Sequence, residues 1–468
     1  MFARQKESVM NSLKKNVLKN FFRISAILIL AVCLFASCVP GGDQGGDEPA
    51  KPEYKLILTN GEYKLKTGGS TKIDLLFTAN GEGADRSLLT FETSNKKIAT
   101  VDKDGNVKAF YPGNATVTVK YEDQSKGVDI IVEPVEATSE QVNTFSEEYI
   151  NIFGRNYMKN GELRLDQTAN AVEFGMLGGT LTVQIKSNAM SYMQVYIDDD
   201  TEGTRVRVYS GKRKYVLAED LPDGYHTVRF VKSTEMMDAQ WSLLSVEGDK
   251  LACAPAKPDF RVEFVGDSIT AGYGVLGVNT GPRTIDNSDA SQTYAYKTVQ
   301  KMNIDYSTIA WSGICTKALH WIKATNMDTL YKRISHYNKE DYAFDFDPDV
   351  VIVNLGGNDS SYMSPEYGGP EYAEQFPEDY LNFLKYVREK NPNAHIICIY
   401  GMMGIDERVE NGIKSAIKAM NDQNIVYDPF EIVPNYDAGA SHPDVEAYEG
   451  WAVQLSEYLS KIREERGK

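Results

Sequence analysis

The sequence predicts a multidomain protein in which two β-sandwich domains precede one α/β domain. Its 468 residues exceed what one hydrophobic core normally supports, because most domains contain about 100–200 residues. From residue 54 to about residue 250, short runs alternate apolar and polar side chains between turns, as half-buried strands do. Beyond residue 258, apolar strands alternate with helical stretches, which is typical of a parallel sheet covered by helices.

The N-terminus has the pattern of an export signal. Basic residues precede an apolar run at residues 24–36, which is shorter than the about 20 residues that span a bilayer. Residues 34–38, LFASC, resemble the bacterial lipobox, in which the cysteine becomes the lipidated first residue of the mature protein. We therefore expect a lipoprotein signal peptide at residues 1–37 and lipidation of Cys38. The Gly-, Asp- and Pro-rich residues 38–52 are then a flexible tether.

These features predict an exported chain that is anchored by lipid to the bacterial cell envelope, at the outer membrane, the cell surface or the periplasm. The membrane would be a partner through that anchor alone. Simple secretion, with cleavage near the same point, is the alternative.

Charge and histidine spacing narrow the classes of partner. Residues 1–37 contain six Lys and Arg and one Glu, so 44 basic and 65 acidic residues remain beyond them, a net charge of −21. Nucleic acid is excluded as a partner, because binding its phosphates needs a positive surface, whereas neutral polysaccharide is compatible. The five histidines are dispersed and no CxxC or HxxxH spacing occurs, so we expect neither a metal nor a cofactor.

The first sandwich is predicted at residues 53–134, where YKLIL, TKIDLL, TVTVKY and VDIIV are separated by turn residues. Residues 94–109, SNKKIATVDKDGNVKA, and residues 113–119, GNATVTV, resemble group 2 bacterial Ig-like domains. The resemblance implies a spacer or an adhesive module. The segment contains no grouping of nucleophile, base and acid.

A second sandwich, a jelly roll, is predicted at residues 149–250, after a polar linker at residues 136–147. Its opening sequences, GRNY and GELRLD, resemble the β-domain that precedes the catalytic domain in carbohydrate esterase family 2. His226 lies within an alternating strand, and we expect it to be structural.

The α/β domain is predicted at residues 256–468. Its strand candidates are residues 261–265, 306–310, 350–355, 395–400 and 425–427. Residues 379–390 and 407–420 between them have helical periodicity. A doubly wound sheet binds ligands beyond the carboxyl ends of its strands, and the polar motifs of this domain fall at such ends.

Four short polar blocks carry the candidate chemistry. They place Ser268 in GDSIT, Gly313 in AWSG, Asn358 in GGND and His442 in SHPD. Each block alone has an ordinary explanation, such as a helix N-cap serine, a turn glycine, a turn asparagine or a surface histidine. Together they supply a hydroxyl, a base that can take its proton, and N–H donors that can stabilise an oxyanion.

In this order, the four blocks resemble the SGNH (GDSL-like) hydrolase superfamily. The resemblance implies a three-layer α/β domain with a five-stranded parallel sheet, Ser268 as nucleophile and His442 as general base. It also implies that the N–H groups of Ser268 and Gly313 and the side-chain amide of Asn358 form the oxyanion hole. The longer stretches GDSITAGYG, QTYAY and IAWSG resemble carbohydrate esterase family 2, so that this resemblance covers residues 149–468.

The family resemblance implies a serine carboxylic-ester hydrolase that works without a cofactor. Its substrate would be acetylated polysaccharide or oligosaccharide, as for acetylxylan esterases, which deacetylate hemicellulose through an acetyl-serine intermediate. A GDSL-type lipase or a peptidoglycan O-acetyl esterase on the same fold is one alternative, and a non-catalytic surface glycan-binding protein is another. An α/β-hydrolase is disfavoured because the sequence has no GxSxG motif.

The sequence departs from the superfamily pattern beside the histidine. Many SGNH enzymes have an aspartate three residues before it, where this chain has Gly439. Either Asp437 or a backbone carbonyl would then orient His442, and we favour a Ser268–His442 dyad. Asp267 is expected to serve the turn.

Aromatic residues near the blocks are candidate platforms for a sugar ring, because a pyranose packs against flat apolar faces. The candidates are Tyr273, Trp311, Tyr362 and Trp451. Each could equally be a core residue, since aromatic side chains bury large apolar areas.

Overall fold

The computed structural model describes residues 51–367, 369, 371–427 and 432–468. The predicted signal peptide, Cys38 and all but the end of the predicted tether lie outside these residues. Residues from Tyr54 to Lys468 form one compact unit. Within the described ranges, no helix has both the length and the apolar character needed to cross a membrane.

The first domain is a sandwich of short strands with a 3-10 turn at Arg86–Leu88. Its strands are β1 (Tyr54–Leu58), β2 (Glu62–Lys66), β3 (Ser70–Lys72), β4 (Leu75–Ala79), β5 (Glu82–Gly83), β6 (Thr90–Thr93), β7 (Ala99–Val101), β8 (Asn106–Ala109), β9 (Gly113–Tyr121) and β10 (Gln124–Glu133). They pair in the orders β1-β4-β5, β2-β10-β9-β6 and β3-β8-β7. Alternate residues of β9 and β10 are buried, which gives the domain its core.

One predicted strand of this domain is divided in the structure. The run TKIDLL was expected to form one strand, but β3 ends before Ile73 and β4 begins after Asp74. The two pieces join different sheets, because β3 pairs with β8 and β4 pairs with β1. The chain therefore changes sheet where Ile73 is buried in the core.

The predicted polar linker at residues 136–147 is wrong, because this segment packs against the second sandwich. It contains the helix α1 (Ser139–Val142), whose N-terminus is closed by a capping box between Thr138 and Gln141. Val142 is buried in the core of the second domain. The side-chain amide of Asn143 accepts a hydrogen bond from the Val246 N–H at 2.7 Å and donates one to the Val246 carbonyl at 2.9 Å.

The second domain is a jelly-roll-like sandwich of two sheets. Its strands are β11 (Asn151–Phe153), β12 (Tyr157–Lys159), β13 (Glu162–Leu165), β14 (Ala171–Met176), β15 (Gly179–Ser187), β16 (Ser191–Ile197), β17 (Thr204–Val208), β18 (Gly211–Leu221), β19 (His226–Lys232), β20 (Trp241–Gly248) and β21 (Leu251–Ala252). The sheet orders are β11-β14-β19-β16-β17, with β21 beside β14, and β12-β13-β20-β15-β18. Below, this domain is called the β-domain. His226 lies on it, hydrogen bonded to Asp198 at 2.7 Å.

The third domain contains the predicted five-stranded parallel sheet. Its strands are β22 (Arg261–Gly266), β23 (Asp305–Ala310), β24 (Val350–Asn354), β25 (His395–Ile399) and β26 (Ile425–Tyr427). The helices are α2 (Ser268–Ala271), α3 (Tyr294–Met302), α4 (Met327–Leu330), α5 (Gly357–Tyr362), α6 (Glu371–Lys390), α7 (Glu407–Met420) and α8 (Val445–Glu465), with 3-10 turns at Ala290–Gln292 and Gly439–Ser441. The sheet order is β23-β22-β24-β25-β26, with all neighbours parallel.

Helices cover both faces of this sheet, which makes three layers. On β24, Val351 and Val353 face the cluster formed with α6 and α7, where Phe383 is buried. Ile352, between them, faces the cluster formed with α3 and α8, where Leu455 is buried. Both faces of the strand are therefore apolar, as a central parallel strand requires. The predicted fold class, two sandwiches followed by a three-layer α/β domain, is confirmed.

The β-domain and the α/β domain share buried surface. Phe153 of the β-domain lies in the same buried cluster as Phe260 of the α/β domain. The Arg155 guanidinium donates a hydrogen bond of 3.0 Å to Glu263 on β22, and both side chains are almost fully buried. It also donates to the Tyr331 carbonyl at 2.6 Å. The two domains therefore share a buried apolar cluster and a buried ion pair beside β22.

Replacing Arg155 tests this shared interface. We expect Arg155→Ala to lower the free energy of unfolding by about 3–5 kcal/mol, because Glu263 is left buried without its cation. Denaturant titration followed by tryptophan fluorescence measures the change. Arg213→Ala is the matched control, since Arg213 lies exposed on β18, and we expect a change within about 0.5 kcal/mol. Equal unfolding curves for the two variants would contradict the assignment.

Candidate active site

Ser268 is the first residue of α2, directly beyond the end of β22. The preceding Asp267 caps this helix, with its carboxylate accepting the N–H of Ile269 at 3.0 Å. The N–H of the first residue in a helix has no intrahelical partner, so the amide of Ser268 is available to a ligand. Ser268 as a whole is 7% exposed and lines a cavity. The sequence GDSIT thus forms a strand-to-helix turn that presents the hydroxyl.

His442 reaches this serine because two loops pack backbone against backbone. Gly439 donates a hydrogen bond of 2.9 Å to the carbonyl of Gly274, in the loop after α2. A Cβ atom at Gly274 would lie 2.5 Å from the carbonyl oxygen of Gly439, so the contact leaves no room for a side chain at Gly274. In this arrangement His442 Nε2 lies 2.9 Å from Ser268 Oγ. The ring of Tyr273 packs beside the imidazole, with 4.7 Å between ring centroids.

A main-chain carbonyl, not a carboxylate, orients the histidine. His442 Nδ1 lies 3.0 Å from the carbonyl oxygen of Ala440. A proton on Nδ1 donates to that carbonyl and leaves Nε2 as an acceptor for the serine hydroxyl. Asp437 is exposed and accepts from the Asn435 amide at 2.9 Å. The candidate orienting role of Asp437 is therefore wrong, and the two side chains form a dyad.

The turn that aims this carbonyl has strained backbone. Ala440 and Ser441 have φ angles of 54° and 56°, a region that residues with a Cβ seldom adopt and that costs about 1–3 kcal/mol per residue. Neighbouring loops hold them, because the Ala440 N–H donates to the carbonyl of Gly281 at 2.7 Å. The sequence pattern around His442 did not indicate this turn.

Gly313 stands where the chain leaves β23, at a position that only glycine fits. Its φ is 82°, and a Cβ there would lie 2.9 Å from the Cβ of Trp321. Within the described residues, the Gly313 N–H donates no hydrogen bond. It lines the same cavity as Ser268. The amide is therefore an available donor beside the hydroxyl.

Asn358 lies on α5, beyond the end of β24. Its Nδ2 donates to the carboxylate of Asp267 at 3.2 Å, and because an amide carries two N–H bonds, a second donor remains. Asn358, Gly313, Ser268 and His442 line one cavity of about 1100 Å³. Nowhere in the described residues are three His, Cys, Asp or Glu side chains grouped so that they could hold a metal ion.

Burial sets the protonation of the site. It lowers the pKa of His442, although the hydrogen bond to Ala440 acts in the opposite direction. Burial also raises the pKa of Asp267 to about 7, against the opposing hydrogen bond from Ile269. A histidine with a lowered pKa is neutral at pH 7, which is the form that can take a proton from Ser268.

The structure separates the four aromatic candidates. Tyr273 lines the cavity, but Trp311 and Trp451 are buried, at 6% and 3% exposure, so the platform prediction is wrong for both. Tyr362 does not line the cavity, and its ring packs against Tyr372 at a centroid distance of 5.0 Å. The sequence interpretation missed Trp321, which is 54% exposed and lines the cavity. Its position in an irregular segment soon after Gly313 was the available signal.

Family models match all three domains. Residues 57–132 match the bacterial Ig-like domain (group 2), residues 152–256 match the carbohydrate esterase 2 N-terminal domain, and residues 264–467 match the GDSL-like lipase/acylhydrolase family. Along the chain, the Ig-like match is therefore followed by the match to the carbohydrate esterase 2 N-terminal domain and then by the GDSL-like match. The family resemblance predicted from the sequence motifs is confirmed.

Two relatives are similar to this chain over part of its length. The cellulase/esterase CelE of Acetivibrio thermocellus is 29% identical over 237 residues, which are 50% of this chain and 28% of CelE. An acetylxylan esterase/glucomannan deacetylase of Cellvibrio japonicus is 22% identical over 338 residues, which are 68% of this chain and 90% of that protein. The chain therefore spans less than a third of CelE and most of the Cellvibrio protein.

Solved structures show the same fold. A family two carbohydrate esterase from Clostridium thermocellum in complex with cellohexaose matches with a TM-score of 0.60 and 24% identity, over 68% of this chain and 99% of that one. The acetyl xylan esterase Est2A of Butyrivibrio proteoclasticus matches with a TM-score of 0.60 and 22% identity, over 69% and 96%. At these identities the likeness concerns the fold.

The lowered pKa of His442 predicts how ester hydrolysis depends on pH. We expect kcat/KM to fall on acidification through a pKa below 6.5, the ordinary value for histidine, and to be constant from there to pH 8. The pH profile with 4-nitrophenyl acetate measures it. Asp267→Asn is the control, because it keeps the helix cap and removes the neighbouring carboxyl, which titrates near pH 7. If the acidic limb is lost in that variant, it belongs to Asp267 and not to His442.

Proposed function

We propose that this protein is a serine esterase that removes acetyl groups from acetylated polysaccharide, as acetylxylan esterases do. The observation that carries the proposal is the 2.9 Å approach of His442 Nε2 to Ser268 Oγ, beside free N–H donors in one cavity. The similarity to CelE and to the acetylxylan esterase/glucomannan deacetylase supports the substrate class.

The first half of the reaction transfers the acetyl group to the enzyme. Ser268 Oγ attacks the acetyl carbonyl carbon while His442 Nε2 takes the hydroxyl proton. The negative charge that develops on the carbonyl oxygen is stabilised by the N–H groups of Ser268 and Gly313 and the amide of Asn358. When the tetrahedral intermediate collapses, the sugar oxygen leaves with the proton from His442, and acetyl-Ser268 remains.

The second half hydrolyses this acetyl-serine. His442 takes a proton from water, the water oxygen attacks the acetyl carbon, and the same donors stabilise the second oxyanion. Collapse returns the proton to Ser268 and releases acetate. In both halves the imidazole becomes positively charged, and the Ala440 carbonyl stabilises it by accepting the Nδ1–H bond.

The rim of the cavity supports binding of a sugar chain. Trp321 presents an exposed indole at the cavity, and the Tyr367 ring lies 5.4 Å from it. Flat aromatic faces pack against the C–H groups of a pyranose while its hydroxyls stay in water. Such an arrangement suits a long, neutral and hydrated polymer. It also agrees with the excess of acidic residues, which disfavours polyanions.

The proposed location follows from the N-terminal pattern. The LFASC sequence at residues 34–38 supports lipidation of Cys38 and anchoring of the chain to the cell envelope. The Ig-like domain, which stands between that cysteine and the β-domain, would then hold the esterase away from the membrane. A polymeric substrate outside the cell would be accessible to it.

Replacing the proposed nucleophile tests the activity. We expect the wild-type protein to release acetate from 4-nitrophenyl acetate and acetylated xylan, and Ser268→Ala to lower kcat by at least about 10⁴-fold. Ser460→Ala, on the surface of α8, is the control and should be unchanged. The proposal fails if the wild type releases no acetate or if Ser268→Ala keeps full activity. A preference for long-chain esters would identify a lipase instead.

Replacing Trp321 tests the sugar platform. Trp321→Ala keeps the Cβ that lies beside Gly313 and removes the exposed ring. We expect KM for acetylated xylan to rise about tenfold, the effect of losing about 1.4 kcal/mol of stacking, with little change for 4-nitrophenyl acetate. Tyr209→Ala, which removes an exposed ring from the β-domain, is the control. Equal effects on both substrates would instead indicate damage to the oxyanion site.

A further inference from the structure

One loop of the β-domain packs against the α/β domain beside the active-site cavity. It comprises residues 233–240, between β19 and β20. Met236 is fully buried in the cluster that contains Ile309 and Trp311 of the α/β domain. The next residue, Met237, is 40% exposed and lines the active-site cavity. Because Ala239 of the same loop is buried in the core of the β-domain, the loop packs into both domains.

Glu235 in this loop forms two hydrogen bonds with Ser312, the residue that precedes Gly313. Its carboxylate accepts the backbone N–H of Ser312 at 2.9 Å and the hydroxyl of Ser312 at 2.6 Å, one donor on each oxygen. Glu235 is 1% exposed and Ser312 is 6% exposed, so little water competes for these bonds. Hydrogen bonds to a buried carboxylate are stronger than neutral ones. Ser312 is thus held at two points by another domain.

Charged neighbours surround this carboxylate. Arg283 lies 3.7 Å from Glu235 and donates to Asp238 at 2.8 Å, so one cation faces two acids. Buried Lys232 also interacts electrostatically with Glu235, and its ammonium donates a hydrogen bond to the Thr234 carbonyl at 2.7 Å. Burial raises the pKa of Glu235 to about 7, while the Ser312 donors and Arg283 favour its ionised form. Burying a carboxylate costs free energy, so the buried position of Glu235 indicates a specific role for this side chain.

We propose that Glu235 is a positioning residue for the oxyanion hole, because it fixes Ser312 and thereby the direction of the Gly313 N–H. The inference rests on the proposed esterase function. The Gly313 nitrogen belongs to the peptide plane that begins at the carbonyl of Ser312, so the backbone angles of Ser312 set where its N–H points. Gly313 has no side chain that could hold this peptide plane by packing. The hydrogen bonds between Ser312 and Glu235 of the β-domain hold it instead.

A carboxylate suits this role better than an amide. Both Ser312 groups act as donors toward Glu235, and only a carboxylate offers an acceptor at each oxygen. An amide in its place offers one acceptor oxygen, and its nitrogen then faces the hydroxyl. Partial function is therefore expected of glutamine, and less of alanine, which removes both acceptors.

Kinetics of Glu235→Ala and Glu235→Gln test the proposal. With 4-nitrophenyl acetate we expect kcat to fall about 10–100-fold for Ala and less than about tenfold for Gln, with KM within about twofold of wild type. Removing an oxyanion donor outright lowers kcat about 10²–10³-fold, and here the donor is displaced, not deleted. Glu247→Gln, an exposed β-domain acid paired with Lys214 at 2.7 Å, is the control and should match wild type.

A double-mutant cycle separates positioning from a general loss of structure. If Glu235 acts through Ser312, adding Ser312→Ala to Glu235→Ala should lower kcat little further, because the partner is already lost. The proposal is overturned if folded Glu235→Ala keeps kcat within twofold of wild type, or if the two losses multiply. Should the Ala variant fail to fold in a thermal melt, the same criteria apply to Glu235→Gln. Absence of acetate release by wild type would refute the esterase function itself.

Discussion

The active site depends on the backbone contact between Gly274 and Gly439. These residues belong to loops at opposite ends of the third domain's sequence, and their main chains meet at a 2.9 Å hydrogen bond. Because no side chain intervenes, the loop that carries His442 comes close enough for its imidazole to reach Ser268 Oγ at 2.9 Å. The parallel sheet places both loops at the same edge, and the contact between the two glycines brings His442 within hydrogen-bond distance of Ser268.

The architecture and the reactive pair could be predicted because each leaves a strong pattern in the sequence. Strand β24 begins with a continuous apolar run, VVIV, which is typical of a strand with helices on both faces. Polar residues that directly follow such runs lie together, since parallel strands end at one edge. The superfamily resemblance then related Ser268 and His442 across a separation of 174 residues. The spacing of these residues in the sequence does not by itself show that they lie close together.

Other features could not be predicted, because they depend on tertiary packing. Every residue has a carbonyl group, so the sequence favoured a Ser268–His442 dyad but did not distinguish Ala440 as the partner of His442. Residue type likewise does not separate buried Trp311 from exposed Trp321. The role of Glu235 in holding Ser312 needed coordinates, since the two are 77 residues apart and lie in different domains.

A base oriented by main chain is encoded differently from one oriented by an acid. In a triad, one codon change can delete the third member, whereas the Ala440 carbonyl survives every substitution at its own position. What mutation can alter is the conformation of the turn, whose two residues with positive φ aim that oxygen. The orientation of His442 is therefore encoded by the conformation of this turn. Selection acts on that conformation through the glycines and loops that impose it.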